Sequence, residues 1–221
     1  MMPRSMEPEW LDSLPHDDPA AVRSRRDLRW INFFMGNHRW LVRQIRACLA
    51  PNQTLLELGA GDATLLRRLL QSGAAEPAQL QAIDLAPPPS DWPREATWHQ
   101  RDLFSQPLPE ADVILANLFL HHFTEAQLAQ LASRLPSRCH TFLACEPARR
   151  SIHLWQGRLL HGLIRFSPVT QHDLPISVRA GFLGDELPQA LALPPRWRIH
   201  TQLTALGAYR LIARRPLENA D

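Results

Sequence analysis

The stretch Thr54 to Leu70, TLLELGAGDATLLRRLL, governs how the rest of the chain is read. Residues 54–58 are a short apolar run that ends beside an acid, Gly59-Ala60-Gly61 is a tight turn, and residues 63–70 have the apolar spacing of a helix. The pattern predicts a strand, a glycine turn and a helix in succession. Glycine belongs where a backbone turns sharply and lets a ligand approach, and the helix start beyond it leaves unpaired N–H groups facing that ligand.

A dinucleotide fingerprint would read G-x-G-x-x-G, but Thr64 stands at the third glycine position. What is present is E-x-G-x-G-x-A, with Glu57 two residues before Gly59 and Ala63 where a further glycine is common. This motif resembles the first motif of the class I S-adenosylmethionine-dependent methyltransferases. The resemblance implies that the Gly59 carbonyl and the Glu57 carboxylate, in part through water, receive the methionine ammonium of the cofactor, with Ala60 and Gly61 completing the turn.

Later segments follow the same family order. Residues 79–84 (QLQAID) read as a second strand ending in Asp84, which lies 25 positions beyond Gly59. An acid there suits a ribose, for which about 20 residues is the usual separation; a helix-capping aspartate is the plainer reading. Residues 97–100 form a short strand before Arg101-Asp102-Leu103, and residues 111–117 (ADVILAN) an apolar fourth strand running into Leu118-Phe-Leu-His-His-Phe123. A helix over 125–135 precedes a fifth strand, 140–146 (HTFLACE). By resemblance, Asp84 and Leu85 contact the ribose end, Asp102 and the Leu103 amide the adenine, and Asn117, His121 and His122 lie beside the sulfonium.

Outside that core, residues 1–20 carry four prolines among acids and read as a loosely ordered arm. Residues 21–50 read as helices broken near Gly36, a cover for the sheet or a lid over the cofactor with Asn32, His38 and Arg39 at the break. Residues 151–166 place Ile152, Trp155, Leu159, Leu163 and Phe166 on one side of an amphipathic helix. Covering the sheet is the expected role, and a helix lying on a membrane surface has the same signature. Residues 167–194 lack periodicity and read as an insertion within the substrate-side segment 148–194. Its His172, Asp173 and Arg179 are candidates for proton transfer and acceptor binding. Two strands in 196–214 form a closing hairpin, and the tail to Asp221 is polar. The expected architecture is a single α/β domain, a Rossmann-like, seven-stranded, mostly parallel sheet with an antiparallel last strand and helices on both faces.

Composition removes several function classes. All 24 basic residues are arginine against 22 acidic ones, a net charge of +2, so no lysine chemistry is available and nothing clusters as a nucleic-acid footprint. Three cysteines without C-x-x-C spacing argue against a disulfide framework or a zinc site. No histidines stand at H-x-x-x-H spacing, and His121 and His122, being adjacent, are not expected to face one point from a regular helix, so no metal is expected. No apolar run is long enough to span a bilayer, which fits a cytoplasmic enzyme without stable membrane insertion. The sequence reading is therefore an S-adenosylmethionine-dependent methyltransferase of a small, apolar or aromatic acceptor. A nicotinamide-dependent reductase, or a binding protein that kept the fold without turnover, remains an alternative, and the oligomeric state is open.

Overall fold

In the computed structural model, which describes residues 2–216, β1 (Leu55–Leu58) is a fully buried inner strand of the sheet. It pairs in parallel with β2 (Leu80–Asp84) on one side and β4 (Val113–Asn117) on the other. Outward from these lie β3 (Thr97–Gln100) and β5 (Thr141–Pro147). The antiparallel β7 (Ala208–Arg214) and then β6 (Arg198–Leu203) close the order β3-β2-β1-β4-β5-β7-β6. This is the expected seven-stranded sheet. Because successive strand residues point to opposite faces, Leu56, Ile114, Phe142 and Leu211 fill one core while Leu55, Val113, Leu115 and Leu143 fill the other.

Helix α4 (Thr64–Gln71) follows the glycine turn and buries Leu65, Leu66 and Leu69 on the second core. Helix α5 (Glu125–Ser133) begins with a Thr124–Gln127 capping box and lays Leu128 and Leu131 on the first. The three thiols are free, and burial pushes Cys48 up to about 11 and Cys139 up to about 12.

Three expectations outside the core are corrected. The arm is ordered: it contains α1 (Trp10–Ser13), and the Arg4 guanidinium donates to the carbonyls of Ala180, His121 and Phe123, while Arg149 donates to the Met2 carbonyl. Its prolines therefore sit in a strap whose hydrogen bonds are met by distant parts of the chain. The aperiodic insertion is helical, with α7 (Pro168–Ala180) and α8 (Glu186–Leu191). Pro175 interrupts α7's hydrogen bonding, and packing against α1, α2 (Pro19–Met35) and α6 (Ser151–Ile164) holds the helix regardless. Helix α6 does not cover the sheet with its apolar side, for Ile152, Trp155, Leu159 and Leu163 are all exposed and only His153 is buried.

The helical cover divides at Gly36, whose left-handed φ of 68° stops α2 and starts α3 (Asn37–Cys48). Helix α3 packs on α4 and β5, whereas α2 faces the carboxyl ends of the strands. The polar tail from 217 to 221, like Met1, lies outside the described residues.

Candidate active site

The glycine turn is held by the neighbouring strand. Asp84, at the end of β2, accepts the Gly61 N–H at 2.7 Å and the Ala86 N–H at 2.8 Å, one on each carboxylate oxygen. Gly59, Gly61 and Ala63 all have positive φ, at 67°, 56° and 56°. At Gly59 a side chain is excluded by contact as well, since a Cβ would come within 2.2 Å of the Phe119 ring. Glu57 is buried, and its Oε2 has no hydrogen-bond partner among the described residues. Burial, reinforced by the charges of Asp62 and Asp84, raises its pKa well above the usual carboxylate range.

Opposite this turn, the chain after β4 passes through Leu118, a leucine in left-handed backbone at φ 54°, into the 3-10 turn Leu120–His122. Glu146, fully buried near the end of β5, holds that turn. It accepts the backbone N–H groups of Phe119 (3.1 Å), Leu120 (2.9 Å) and His121 (3.3 Å), and its Oε2 lies 2.7 Å from His121 Nδ1. The other nitrogen of the same ring, Nε2, is 3.5 Å from Glu9 Oε1, and Glu9 also accepts the Ser177 hydroxyl. Burial pulls the His121 pKa down, but its hydrogen bonds and charge interactions with Glu146 and Glu9 outweigh this and push it up to about 9. At neutral pH the ring is thus an imidazolium clamped between two carboxylates.

His122 is arranged differently. Its Nδ1 lies 3.2 Å from Asp12 Oδ2, and its ring leans on that of His121 with centroids 4.2 Å apart. The expectation that adjacent histidines cannot face one point is corrected, because they stand in a 3-10 turn and not in an α-helix. Donor atoms of Glu9, His121 and His122 come within 4.8 Å of one another, a grouping that could hold a cation. With both His121 nitrogens already turned to carboxylates as proton donors, however, the cluster is saturated as proton wiring.

Both halves open into one cavity of about 930 Å³. This is near the upper end for a pocket that holds a single drug-sized ligand, about 300–1,000 Å³. Its lining includes Gly59, Gly61, Asp84 and Asp102 together with Glu9, Asp12, His121 and His122. Leu28, Ile31 and Phe34 of α2 and Trp155, Leu159 and Leu163 of α6 line it as well.

No family model matches the chain, and no curated protein matches it by sequence. Solved structures match it in shape. The plantazolicin methyltransferase BpumL, in complex with a triazolic desmethylPZN analog and SAH, superposes with a TM-score of 0.63 at 14% identity over 94% of this chain and 93% of that one. BamL, a plantazolicin methyltransferase with the same kind of analog and SAH, gives 0.61 at 12% identity over 93% and 92%. The pyocyanin biosynthetic protein PhzM gives 0.55 at 14% identity, over 94% of this chain and 61% of its own. The chain has the class I methyltransferase fold.

Within that methyltransferase fold, the sequence-predicted residues fall into three groups. Gly59, Gly61, Asp84, Leu85, Asp102, Leu103, His121, His122 and Asp173 line the cavity. Glu57, Ala60 and Asn117 stand outside its lining; Asn117 donates to Asn32 Oδ1 at 3.0 Å and ties β4 to α2. Of the group His172, Asp173 and Arg179, Asp173 lines the cavity and the other two do not. Asp173 accepts the Trp10 and Leu11 N–H groups at 2.9 and 3.0 Å, which anchors α1, and the His172 ring stacks on Trp10 with centroids 3.8 Å apart. His172 and Arg179 do not line the cavity, and the Arg179 carbonyl accepts from Ser5. Glu9 and Asp12 were missed because they lie in a proline-broken segment with no periodic signal. Glu146 was visible only as a strand-end acid.

Proposed function

We propose that the protein is an S-adenosylmethionine-dependent methyltransferase acting on a small, apolar or aromatic acceptor. The observation that carries this reading is that one cavity is lined by the glycine turn, Asp84 and Asp102, by a histidine–carboxylate pair, and by apolar side chains of α2 and α6. The solved relatives of the same fold that carry SAH support the choice of cofactor.

The residues present fit that cofactor. Glu57 is a buried acid with an unpartnered oxygen, suited to a cationic ammonium, and Asp84 keeps lone pairs for ribose hydroxyls beyond its two backbone bonds. Asp102, whose Oδ1 accepts the Phe104 N–H at 2.7 Å, is a candidate for the adenine amino group. Bound there, the cofactor supplies an electrophilic methyl group. The chain's own task is to place an acceptor in line with it, which an apolar, water-poor pocket does by shape, and to take the acceptor's proton. We assign proton removal from an O–H or N–H acceptor to His122, oriented through Nδ1 by Asp12, and the holding of the loop to His121 between Glu9 and Glu146.

Two expected results test this. Because the Glu57 pKa is raised by burial and by neighbouring acids, a cation held at the adjoining glycine turn favours its ionisation, and binding S-adenosylmethionine should release a proton. Calorimetry in two buffers of different ionisation enthalpy reads that release directly. Saturable binding of a nicotinamide dinucleotide, with none of S-adenosylmethionine, would overturn the cofactor assignment. His122→Ala should keep cofactor affinity and lower kcat by about 10²-fold or more, the usual contribution of a positioned base. Asp12→Asn should give a smaller loss, and chelation of divalent ions should leave turnover unchanged. Loss of activity on chelation, restored by one added cation, would instead make Glu9, His121 and His122 metal ligands.

A further inference from the structure

The apolar side of α6 is open to solvent, and part of it also lines the cavity. Ile152, Trp155, Leu159 and Leu163 recur at helical spacing along three turns, with Trp155 58%, Leu159 54% and Leu163 74% exposed. Helix α2, which also packs against α7, presents a second such face. Arg23, Arg26, Trp30, Phe33 and Phe34 share one side of that helix at the same period, all exposed, with Phe33 65% open to solvent. Both helices pack against α7, and both line the cavity, through Phe34 on one and Trp155, Leu159 and Leu163 on the other. The cavity is therefore lined in part by aromatic and aliphatic side chains that are also open to solvent.

Charge on these helices has one sign. Helix α6 contains Arg158 and no acid, and the one acid within α2, Asp27, is used to accept the Ser167 N–H at 2.7 Å and the Thr170 hydroxyl at 2.9 Å. We propose that this face docks the protein reversibly on an anionic lipid bilayer, and that the acceptor is a lipophilic molecule drawn from that bilayer into the cavity between α2 and α6. The second half rests on the methyltransferase reading above, and the first does not. Tryptophan and phenylalanine beside arginine are the composition of a helix lying in the headgroup region, where apolar burial and attraction to anionic lipid add. No helix among the described residues is long and apolar enough to cross a membrane, so the attachment is to one leaflet. A second copy of the chain fits less well, since a two-fold interface would set the arginines of one copy against those of the other.

The test uses the full chain with vesicles of phosphatidylcholine alone and of phosphatidylcholine with phosphatidylglycerol. The expected result is co-sedimentation that rises with the anionic lipid and falls with salt. Arg23→Glu with Arg26→Glu, and separately Phe33→Ser with Ile152→Ser, should each weaken partitioning about tenfold or more, because each basic residue near such a surface contributes about a factor of five. Neither Arg23, Arg26, Phe33 nor Ile152 lines the cavity, so calorimetric affinity for S-adenosylmethionine should stay at the parent value. Equal or absent sedimentation with both vesicle types overturns the proposal. So does a solution dimer that these same substitutions dissociate. Vesicle binding by a chain that takes up no S-adenosylmethionine would refute the enzymatic reading and leave the docking face standing.

Discussion

Glu146→Ala should be among the most damaging single substitutions in this protein, lowering the melting temperature by roughly 6–20 °C. One carboxylate answers three backbone N–H groups and a charged imidazole in a site with no exposed surface, so its removal strands all four partners. Breaking a buried ion pair from one side costs about 3–5 kcal/mol, and for a domain of this size each kcal/mol moves the melting point by about 2–4 °C. Glu146→Gln keeps an acceptor oxygen for the backbone and loses only the charge, so it should fall between parent and alanine variant. The pH dependence gives a second check. His121 is raised to about 9 from an ordinary 6.5, so its contribution is complete below about pH 6.5 and is lost as pH rises through about 9. The parent should lose stability over that window while the alanine variant, already without the partner, loses much less. Thermal unfolding of Glu146→Ala within a degree or two of the parent would refute the role given to this residue.

Gly59→Ala should abolish cofactor binding, with affinity reduced at least 100-fold. The backbone at Gly59 is left-handed, which costs an alanine about 1–2 kcal/mol, but Ala63 tolerates the same region four residues later. Contact makes the difference. A Cβ at Gly59 would overlap the Phe119 ring at 2.2 Å, and Phe119 begins the turn that carries His121 and His122, so relieving the overlap shifts both ends of the cavity. Overpacking of this kind adds about 1–3 kcal/mol. Gly61→Ala is the control, because a Cβ there meets nothing within 4 Å and only the backbone term applies. Calorimetry on the two variants decides the matter: if Gly61→Ala were the worse binder, contact with Phe119 would not be what fixes the turn.

What the sequence determined by itself was the sheet and the glycine turn that follows its first strand. Strands ending at Leu58 and Asn117 were legible as apolar runs bounded by turn residues, and those ending at Asp84, Gln100 and Arg214 by their order along the chain. Gly59, Gly61, Asp84 and Asp102 are fixed by position relative to those strands. Tertiary structure alone decided the ion pairs of the histidine turn. Glu9 meets His121 across 112 residues of chain and Asp12 meets His122 across 110, and no local period records an ion pair between segments so far apart. Helix α7 forms around Pro175 because α1, α2 and α6 pack against it, so its backbone is set by neighbours that propensity does not see. In α6 the sequence specified an apolar stripe but not what it faces; the direction of a helix about its own axis is set by what its other side buries, here His153.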